Sequence, residues 1–243
     1  MYKYNTMKQK DLKLPSSGKK YNNEKAIISL TSYIKRIKNC SKTIFNLLKQ
    51  CPGFHIVLVL NTVEFPHKIK DLPNDLQLIV ENNLIEILWL NKDYKVFQKV
   101  LFTLDKYRNV PVISADDDNY YKFNYAEELY NKWLKHKDCF ISYYSRIYKN
   151  NVYHMGGNFT LTPPYAFGES GIKLLNDDII ALKEDDPYYT LLRYKLKLFN
   201  KCITVRRKVS DVIEYHDCIN PLQNIYRNRP KDYAIHEMEK ILK

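Results

Sequence analysis

Three consecutive aspartates, Asp116 to Asp118, directly follow a short apolar segment at residues 111–115. The segment is β-branched and begins with a proline, which predicts a buried strand that ends at the aspartates. Open α/β sheets bind their ligands at the carboxyl ends of their strands. The carboxylates of Asp116 and Asp118, one residue apart, can reach one hard cation, and Mg2+ or Mn2+ suits such oxygen ligands. A solvated acidic turn without a metal is the alternative interpretation of the same residues.

The segments that must position these aspartates alternate between strand and helix. Apolar runs predict strands at residues 26–31, 54–60, 85–90 and 111–115, and helical periodicity predicts a helix capped by Ser41 and another at 97–107. This alternation predicts a mostly parallel sheet with helices on both faces. Further along we expect helices at 125–136 (capped by Asn124), 176–182, 186–198 and 233–242, and strands at 139–144 and 202–206. There is no internal repeat or interior linker, so we expect one α/β domain.

Composition limits the class of protein and its partners. The chain has 243 residues, 45% of them hydrophobic, which is ordinary for a globular protein and enough for one sizeable core. A formal net charge of +12 at pH 7 predicts attraction to polyanions. Nucleotide diphosphates, anionic lipid surfaces and nucleic acid all fit that charge.

The cysteines and the apolar segments favour a cytoplasmic protein. The five cysteines are odd in number and no pair has C-x-x-C spacing, so neither a disulfide framework nor a zinc site is indicated. No apolar run approaches the roughly 18 residues that span a bilayer, and the sequence does not begin with a signal-peptide core. We therefore expect membrane contact, where it occurs, to be peripheral and at the inner face of the cytoplasmic membrane.

Five motifs follow one another in a characteristic order. They are residues 28–37 (ISLTSYIKRI), residues 94–99, the three aspartates with two tyrosines after them, a Gly-Gly to Pro-Pro segment at 156–164, and a later Asp-Asp pair. Over about residues 25–205 this set resembles bacterial GT-A-type glycosyltransferases from capsule and lipopolysaccharide gene clusters. The chain departs from the family pattern at Ile34, where proline is expected, and it has no tyrosine between the paired glycines and the prolines.

The resemblance implies a GT-A-like, Rossmann-like fold and a metal-dependent transfer of sugar from a nucleotide-sugar. It implies that Asp116 and Asp118 hold Mn2+ or Mg2+ on the donor diphosphate, with His216 as a further ligand. It implies that Gly156 and Gly157 lie on the acceptor side of the cleft. The residues it implies for nucleotide-sugar binding are Thr31, Tyr33, Arg36, Lys99, Asp116 and Asp117.

Two acidic pairs compete for the role of catalytic base, the group that deprotonates the acceptor hydroxyl. In the family pattern an acidic pair opens a helix shortly before a late strand. Asp185 and Asp186, followed by Pro187 and by the strand predicted at residue 202, fit that order, and we assign the base to Asp186 or its neighbour. The pair at 177–178 is the alternative. A base without an obvious nucleophile favours inversion at the anomeric carbon.

The predicted organisation is a polar N-terminal lead-in at 1–24 and one GT-A glycosyltransferase domain at 25–243. Within the domain, residues 25–118 would bind the nucleotide-sugar, 119–210 would bind the acceptor, and 211–243 would form a basic tail. The expected partners are a nucleotide-sugar donor, a glycan or lipid-linked glycan acceptor of surface polysaccharide synthesis, and an anionic membrane. No nucleic-acid partner is expected.

Two other functions would use these residues differently. A nucleotidyltransferase shares the metal chemistry, but it normally has a glycine-rich basic loop after the first strand, and residues 32–37 contain no glycine. A non-enzymatic, basic nucleic-acid-binding module would interleave basic and aromatic residues on one face. That alternative does not explain the acidic clusters.

Overall fold

The computed structural model describes residues 25–50, 53–121, 124–148, 151–154, 160–198, 202–205, 212–214 and 233–243. The predicted lead-in at 1–24 lies outside this part of the chain. The strands are β1 (Ile27–Thr31), β2 (His55–Asn61), β3 (Glu86–Leu90), β4 (Val112–Ser114), β5 (Asn119–Tyr121), β6 (Phe140–Ser142), β7 (Ser145–Tyr148), β8 (Asn151–His154), β9 (Thr160–Thr162), β10 (Cys202–Thr204) and β11 (Val212–Glu214). The α-helices are α1 (Ile37–Gln50), α2 (Asn74–Glu81), α3 (Gln98–Lys106), α4 (Tyr125–Leu134), α5 (Gly168–Lys173), α6 (Asp177–Leu182), α7 (Asp185–Lys195) and α8 (Tyr233–Ile241).

Seven of the strands form one sheet in the order β10-β6-β9-β4-β1-β2-β3. β1 lies near the centre and pairs in parallel with β2 and β4, and β3 continues the parallel pairing on β2. β10 is parallel to β6, whereas β9 runs antiparallel to both β4 and β6. The sheet is therefore mostly parallel, and the predicted α/β class is confirmed.

The central strands of the sheet are buried on both faces, whereas the edge strands β3 and β10 are partly exposed. All seven residues of β2 are buried, as expected for a central strand of a parallel sheet covered by helices. Because successive side chains alternate between faces, Ile28 and Leu30 of β1 join a core with α1, α2 and α4, and Ile27 joins a core with α3 and with α5 to α8. The helices thereby fix the β1 and β4 edge that carries the aspartates.

Three features of the helices differ from the sequence prediction. Neither α2 nor α5 was predicted. α1 begins at Ile37 rather than at Ser41, because the backbone amides of Arg36 and Ile37 already donate to the carbonyl of Tyr33. Ser41 is therefore inside the helix, where its hydroxyl donates to Asp75 at 2.5 Å. Asn124 precedes α4 in a left-handed conformation with φ of 67° and makes no side-chain capping bond.

Two short pairings lie outside the main sheet. β7 and β8 form an antiparallel hairpin. β5, directly after the three aspartates, pairs antiparallel with β11, so that Glu214 lies opposite Asn119. A late segment of the chain is therefore held against the strand that follows the acidic run.

No helix in the described part of the chain is long and apolar enough to cross a lipid bilayer.

Candidate active site

The three aspartates lie where the sequence predicted them, at the carboxyl end of buried strand β4. Ala115 continues the strand direction, because its amide donates to the carbonyl of Ser29 in β1 at 2.9 Å. The backbone then turns, and the amide of Asp116 donates to the hydroxyl of buried Tyr121 at 2.7 Å. The side chains of the three aspartates end in different surroundings, with 35%, 7% and 19% exposure for Asp116, Asp117 and Asp118.

Asp117 lies in the interior of the site. Its carboxylate accepts from the Ser32 hydroxyl at 2.5 Å and from the Arg36 guanidinium at 2.5 Å. Its backbone carbonyl accepts from the hydroxyl of Thr43 in α1 at 3.0 Å. Burial raises the pKa of Asp117 to about 6, and the nearby Arg36 charge opposes that rise. Asp117 thereby joins the loop after β1 to the turn after β4.

Arg36 pairs with two aspartates at once. Its guanidinium forms ion pairs with Asp117 and Asp118, and it lies over the ring of Tyr33 at 5.7 Å from the ring centre. The predicted nucleotide-binding residues Tyr33 and Arg36 therefore border the acidic run. Arg36 therefore supplies positive charge that partly neutralises these two carboxylates.

Lys99 lies under the other end of the acidic run. Its side chain is 5% exposed, and its ammonium group lies 2.7 Å from Asp116 Oδ1 and 3.8 Å from Asp185 Oδ2. Burial alone would lower the pKa of Lys99, but the Asp116 and Asp185 carboxylates raise it above its ordinary value. The side chain is therefore a buried cation between two carboxylates.

The acidic pair at the start of α7 joins the same cluster. Asp185 is buried, and burial raises its pKa although Lys99 acts in the opposite direction. Asp186 is half-buried, and its carbonyl accepts from the hydroxyl of Thr190 at 2.8 Å. Pro187 occupies the third position of α7, which begins at Asp185 rather than at the predicted residue 186.

The competing acidic pair lies elsewhere. Asp177 opens α6, its side chain is 83% exposed, and it pairs with Lys92 at 2.6 Å. Asp178 is exposed in the same first turn. The contacts of the described residues link Asp185, and not Asp177, to the aspartates at the end of β4. This placement favours the later pair for a role beside the acidic run.

Thr31 lies at the carboxyl end of β1, next to the site. Its hydroxyl donates to the carbonyl of Val59 at 2.7 Å and accepts from the Gln98 side chain at 2.6 Å. Gln98 was not predicted, and neither were the roles of Ser32 and Tyr121. Ser32 lies within the predicted loop and Tyr121 directly beyond the acidic run, so adjacency to a motif was the available signal.

Three predicted site residues, Gly156, Gly157 and His216, lie outside the described residues. Within the described part, no group of three or more His, Cys, Asp or Glu side chains is arranged to hold a metal. Asp116 and Asp118 nevertheless suit a hard divalent cation, which proteins commonly hold through one or two carboxylates together with substrate phosphates. The Asp116 side chain is 35% exposed, so such a ligand can reach it.

Comparison with known proteins gives a likeness of fold. No protein-family profile matches the chain, and no curated protein sequence matches it. Among solved structures, TarS 1–349 of S. aureus in complex with UDP is similar, with 12% identity, a TM-score of 0.52, and coverage of 89% of this chain and 69% of TarS 1–349.

Two further TarS structures are less similar. TarS 1–349 alone shows 12% identity and a TM-score of 0.48 over 75% of this chain and 58% of that chain. TarS 1–349 in complex with UDP-GlcNAc shows 12% identity and a TM-score of 0.41 over 89% of this chain and 70% of that chain. The chain spans only part of these TarS fragments, and the first comparison extends to the fold alone. The fold of this chain is GT-A-like, with a mostly parallel sheet flanked by helices in a single domain.

Proposed function

We propose that the protein is a glycosyltransferase that moves a sugar from a nucleotide-sugar donor to a glycan acceptor. One observation carries the proposal: five carboxylates and two cations meet at the carboxyl edge of β1 and β4. The group consists of Asp116, Asp117, Asp118, Asp185, Asp186, Arg36 and Lys99. An acidic excess at the ligand-binding edge of such a sheet is suited to a cation-bound diphosphate. The fold shared with a UDP-bound protein supports the same class of donor.

Asp116 and Asp118 are the proposed holders of Mn2+ or Mg2+, with His216 as a further ligand. The case for His216 is that it follows Glu214 by two residues, and Glu214 lies opposite Asn119, the residue after the aspartates. A bound divalent cation would neutralise the diphosphate and act as a Lewis acid on the leaving oxygen. The chain's own cations, Arg36 and Lys99, form ion pairs with the carboxylates of Asp118 and Asp116.

The nucleoside and the acceptor are assigned to different segments of the chain. The loop after β1, with Thr31, Tyr33 and Arg36, is the proposed contact for the nucleotide. UDP is the first nucleotide to test, because the similar TarS structure contains it. Gly156 and Gly157 remain the proposed acceptor contacts, since glycine allows close approach of a sugar to the backbone.

Asp186, or its neighbour Asp185, is the proposed base. Asp186 is the more accessible of the two, whereas Asp185 is buried against Lys99. The base would take the proton of the acceptor hydroxyl as that oxygen attacks the anomeric carbon from the face opposite the leaving diphosphate, which inverts the configuration.

The proposed setting is surface polysaccharide synthesis at the cytoplasmic face of an anionic membrane. Helix α1 contains no acidic residue, and Lys38, Lys42 and Lys49 are exposed at spacings that share one helix face. Lys35 is exposed just before the helix. Each lysine near an anionic bilayer contributes about 1 kcal/mol of attraction.

Vesicle flotation tests the membrane contact. Wild-type protein should float with phosphatidylglycerol vesicles at low salt and not with phosphatidylcholine vesicles. Lys38→Glu combined with Lys42→Glu should weaken flotation, whereas Lys68→Glu with Lys70→Glu, at exposed lysines beyond β2, should not. Equal flotation of both double variants would argue against α1 as the contact.

A donor screen tests the function itself. Purified protein is incubated with Mn2+, a panel of UDP-sugars and candidate oligosaccharides, and the products are followed by mass spectrometry. Release of UDP together with an acceptor heavier by one sugar is the expected result. Release of pyrophosphate from a nucleoside triphosphate and a sugar phosphate would instead indicate a nucleotidyltransferase. Absence of turnover with every nucleotide-sugar would contradict the proposal.

A further inference from the structure

Lys99 links three elements whose relative positions the reaction would depend on: α3, the end of β4 and the first turn of α7. Its ammonium group contacts Asp116 beyond β4 at 2.7 Å and lies 3.8 Å from Asp185 in the first turn of α7. Its backbone is held as well, since the Ser29 hydroxyl of β1 hydrogen-bonds to the Lys99 carbonyl and lies 2.7 Å from the Thr103 hydroxyl. The first turn of α3 is therefore attached to the sheet on one side and to α7 on the other.

The packing around Lys99 leaves it little freedom. Only 4% of the residue is exposed, and neighbouring Phe97 accepts through its carbonyl from the Tyr189 hydroxyl of α7 at 3.3 Å. The amine lies 2.7 Å from one carboxylate and 3.8 Å from another, and of these three side chains only that of Asp116 is substantially exposed, at 35%. Because the amine is buried and already paired with carboxylates, it is poorly placed to contact a nucleotide.

We propose that Lys99 is a positioning residue that ties the helix carrying the base to the metal-binding aspartates, and not a contact of the nucleotide. The inference rests on the proposed function and deepens it. Lys99 neutralises the repulsion between Asp116 and Asp185 and so allows the first turn of α7 to lie beside the end of β4. Asp186, the next residue, is thereby kept close to Lys99 and to the acidic run.

Removal of the Lys99 charge has two consequences of opposite sign. The acidic run becomes more negative by one charge, so a divalent cation should bind it at least as tightly as before. The first turn of α7 loses its link to β4, and a displacement of about 1 Å in a reacting group can cost about 10²-fold in rate. Loss of the Lys99 charge should therefore lower turnover without weakening metal binding.

The test compares Lys99→Met with Lys106→Met, a matched change near the other end of α3. Mn2+ binding is measured by electron paramagnetic resonance, and kcat and donor KM are measured in the transfer assay. For Lys99→Met we expect an unchanged or lower Mn2+ dissociation constant, an unchanged donor KM, and a loss of about 10²-fold in kcat. Lys99→Arg, which keeps the charge, should recover part of that loss. Lys106→Met should leave all three quantities at their wild-type values.

Other outcomes would overturn the inference. A raised donor KM with normal kcat would make Lys99 a nucleotide contact. Parallel loss of Mn2+ binding and turnover, without rescue by arginine, would mean that the substitution only disrupts the fold.

A stability measurement separates this inference from the proposed function. If the wild-type protein neither binds Mn2+ nor transfers sugar, the proposed function is wrong. The positioning role of Lys99 is then tested by thermal unfolding. Lys99→Met should lower the unfolding midpoint, and Asp185→Asn added to it should recover part of the loss, because the uncompensated carboxylate is gone. Strict additivity of the two substitutions would show that the two side chains are not linked.

Discussion

Lys99 and Lys106 lie about two turns apart on α3, and each meets carboxylates at a different end of the sheet. Lys106, near the amino ends of β2 and β3, pairs with Glu86, which also accepts from Tyr107 and hydrogen-bonds with His55 at 3.0 Å. One carboxylate there has three partners. At the carboxyl end of β4, Lys99 and Arg36 face five carboxylates.

The pKa values of the carboxylates are shifted in opposite directions in the two clusters. The hydrogen bond with His55 is the largest cause that lowers the pKa of Glu86 to about 2; burial opposes it, and Lys106 and Tyr107 add to it. At the other end, burial raises the pKa of Asp117 and of Asp185 in spite of Arg36 and Lys99. In the Glu86 cluster the single carboxylate is fully paired with its neighbours, and we expect the cluster to stabilise the fold. The acidic run holds more negative charge than its own cations neutralise, as a cation-binding site requires.

The largest expected difference between the clusters is in activity. Asp116→Ala or Asp118→Ala should abolish transfer, because several kcal/mol of charge stabilisation is lost, about 10³-fold or more in rate. Glu86→Gln is the matched control and should transfer sugar at the wild-type rate. Circular dichroism should show that all three variants are folded. Retained activity in either aspartate variant would remove the acidic run from the mechanism.

The base should be distinguishable from the metal ligands by kinetics. Asp186→Asn, or Asp185→Asn where that residue is the base, should lower kcat by about 10²–10⁴-fold and leave donor KM nearly unchanged. Asp178→Asn, in the exposed turn of α6, is the control. If Asp178→Asn is inactive while both later variants keep their turnover, the base belongs to the earlier pair.

The Glu86 cluster should reveal itself in stability rather than activity. Glu86→Gln removes a charge-assisted hydrogen-bond group and should cost about 1.5–3 kcal/mol of unfolding free energy at neutral pH. Because the folded pKa lies below the ordinary value of 4.5, this stability is present above pH 4.5 and is lost as the pH falls toward about 2. Urea unfolding at pH 7 and at pH 3 should show a smaller gap between wild type and variant at the lower pH. A gap that does not depend on pH would refute the assignment.

Much of the sheet could be predicted because its signals are local. The apolar runs that became β1, β2, β3 and β4 are each contiguous in sequence; β1, β2 and β4 are almost entirely buried, and β3 is partly buried. α2 escaped prediction because it has only eight residues and follows Pro73 without a side-chain cap. β5 and β11 are three residues long, and their pairing joins parts of the chain that have no common local pattern.

The acidic run was predictable for the same reason, since three adjacent aspartates after a strand are a local signal. The side chains that contact the three aspartates inside the fold could not be predicted. Ser32 and Arg36 reach Asp117 across 85 and 81 residues of sequence. The link from Lys99 to Asp185 depends on how α3 and α7 pack on one face of the sheet. Sequence spacing carries no information on such contacts.

The measurement that tests the central claim most directly is calorimetric titration of UDP into wild-type protein, with Mn2+ and with excess chelator. The central claim is that the acidic run binds the nucleotide diphosphate through a divalent cation at Asp116 and Asp118. We predict saturable UDP binding with Mn2+, its loss in chelator, and the same loss with Mn2+ in Asp116→Ala and Asp118→Ala. Equal UDP affinity in Mn2+ and in chelator would contradict the account.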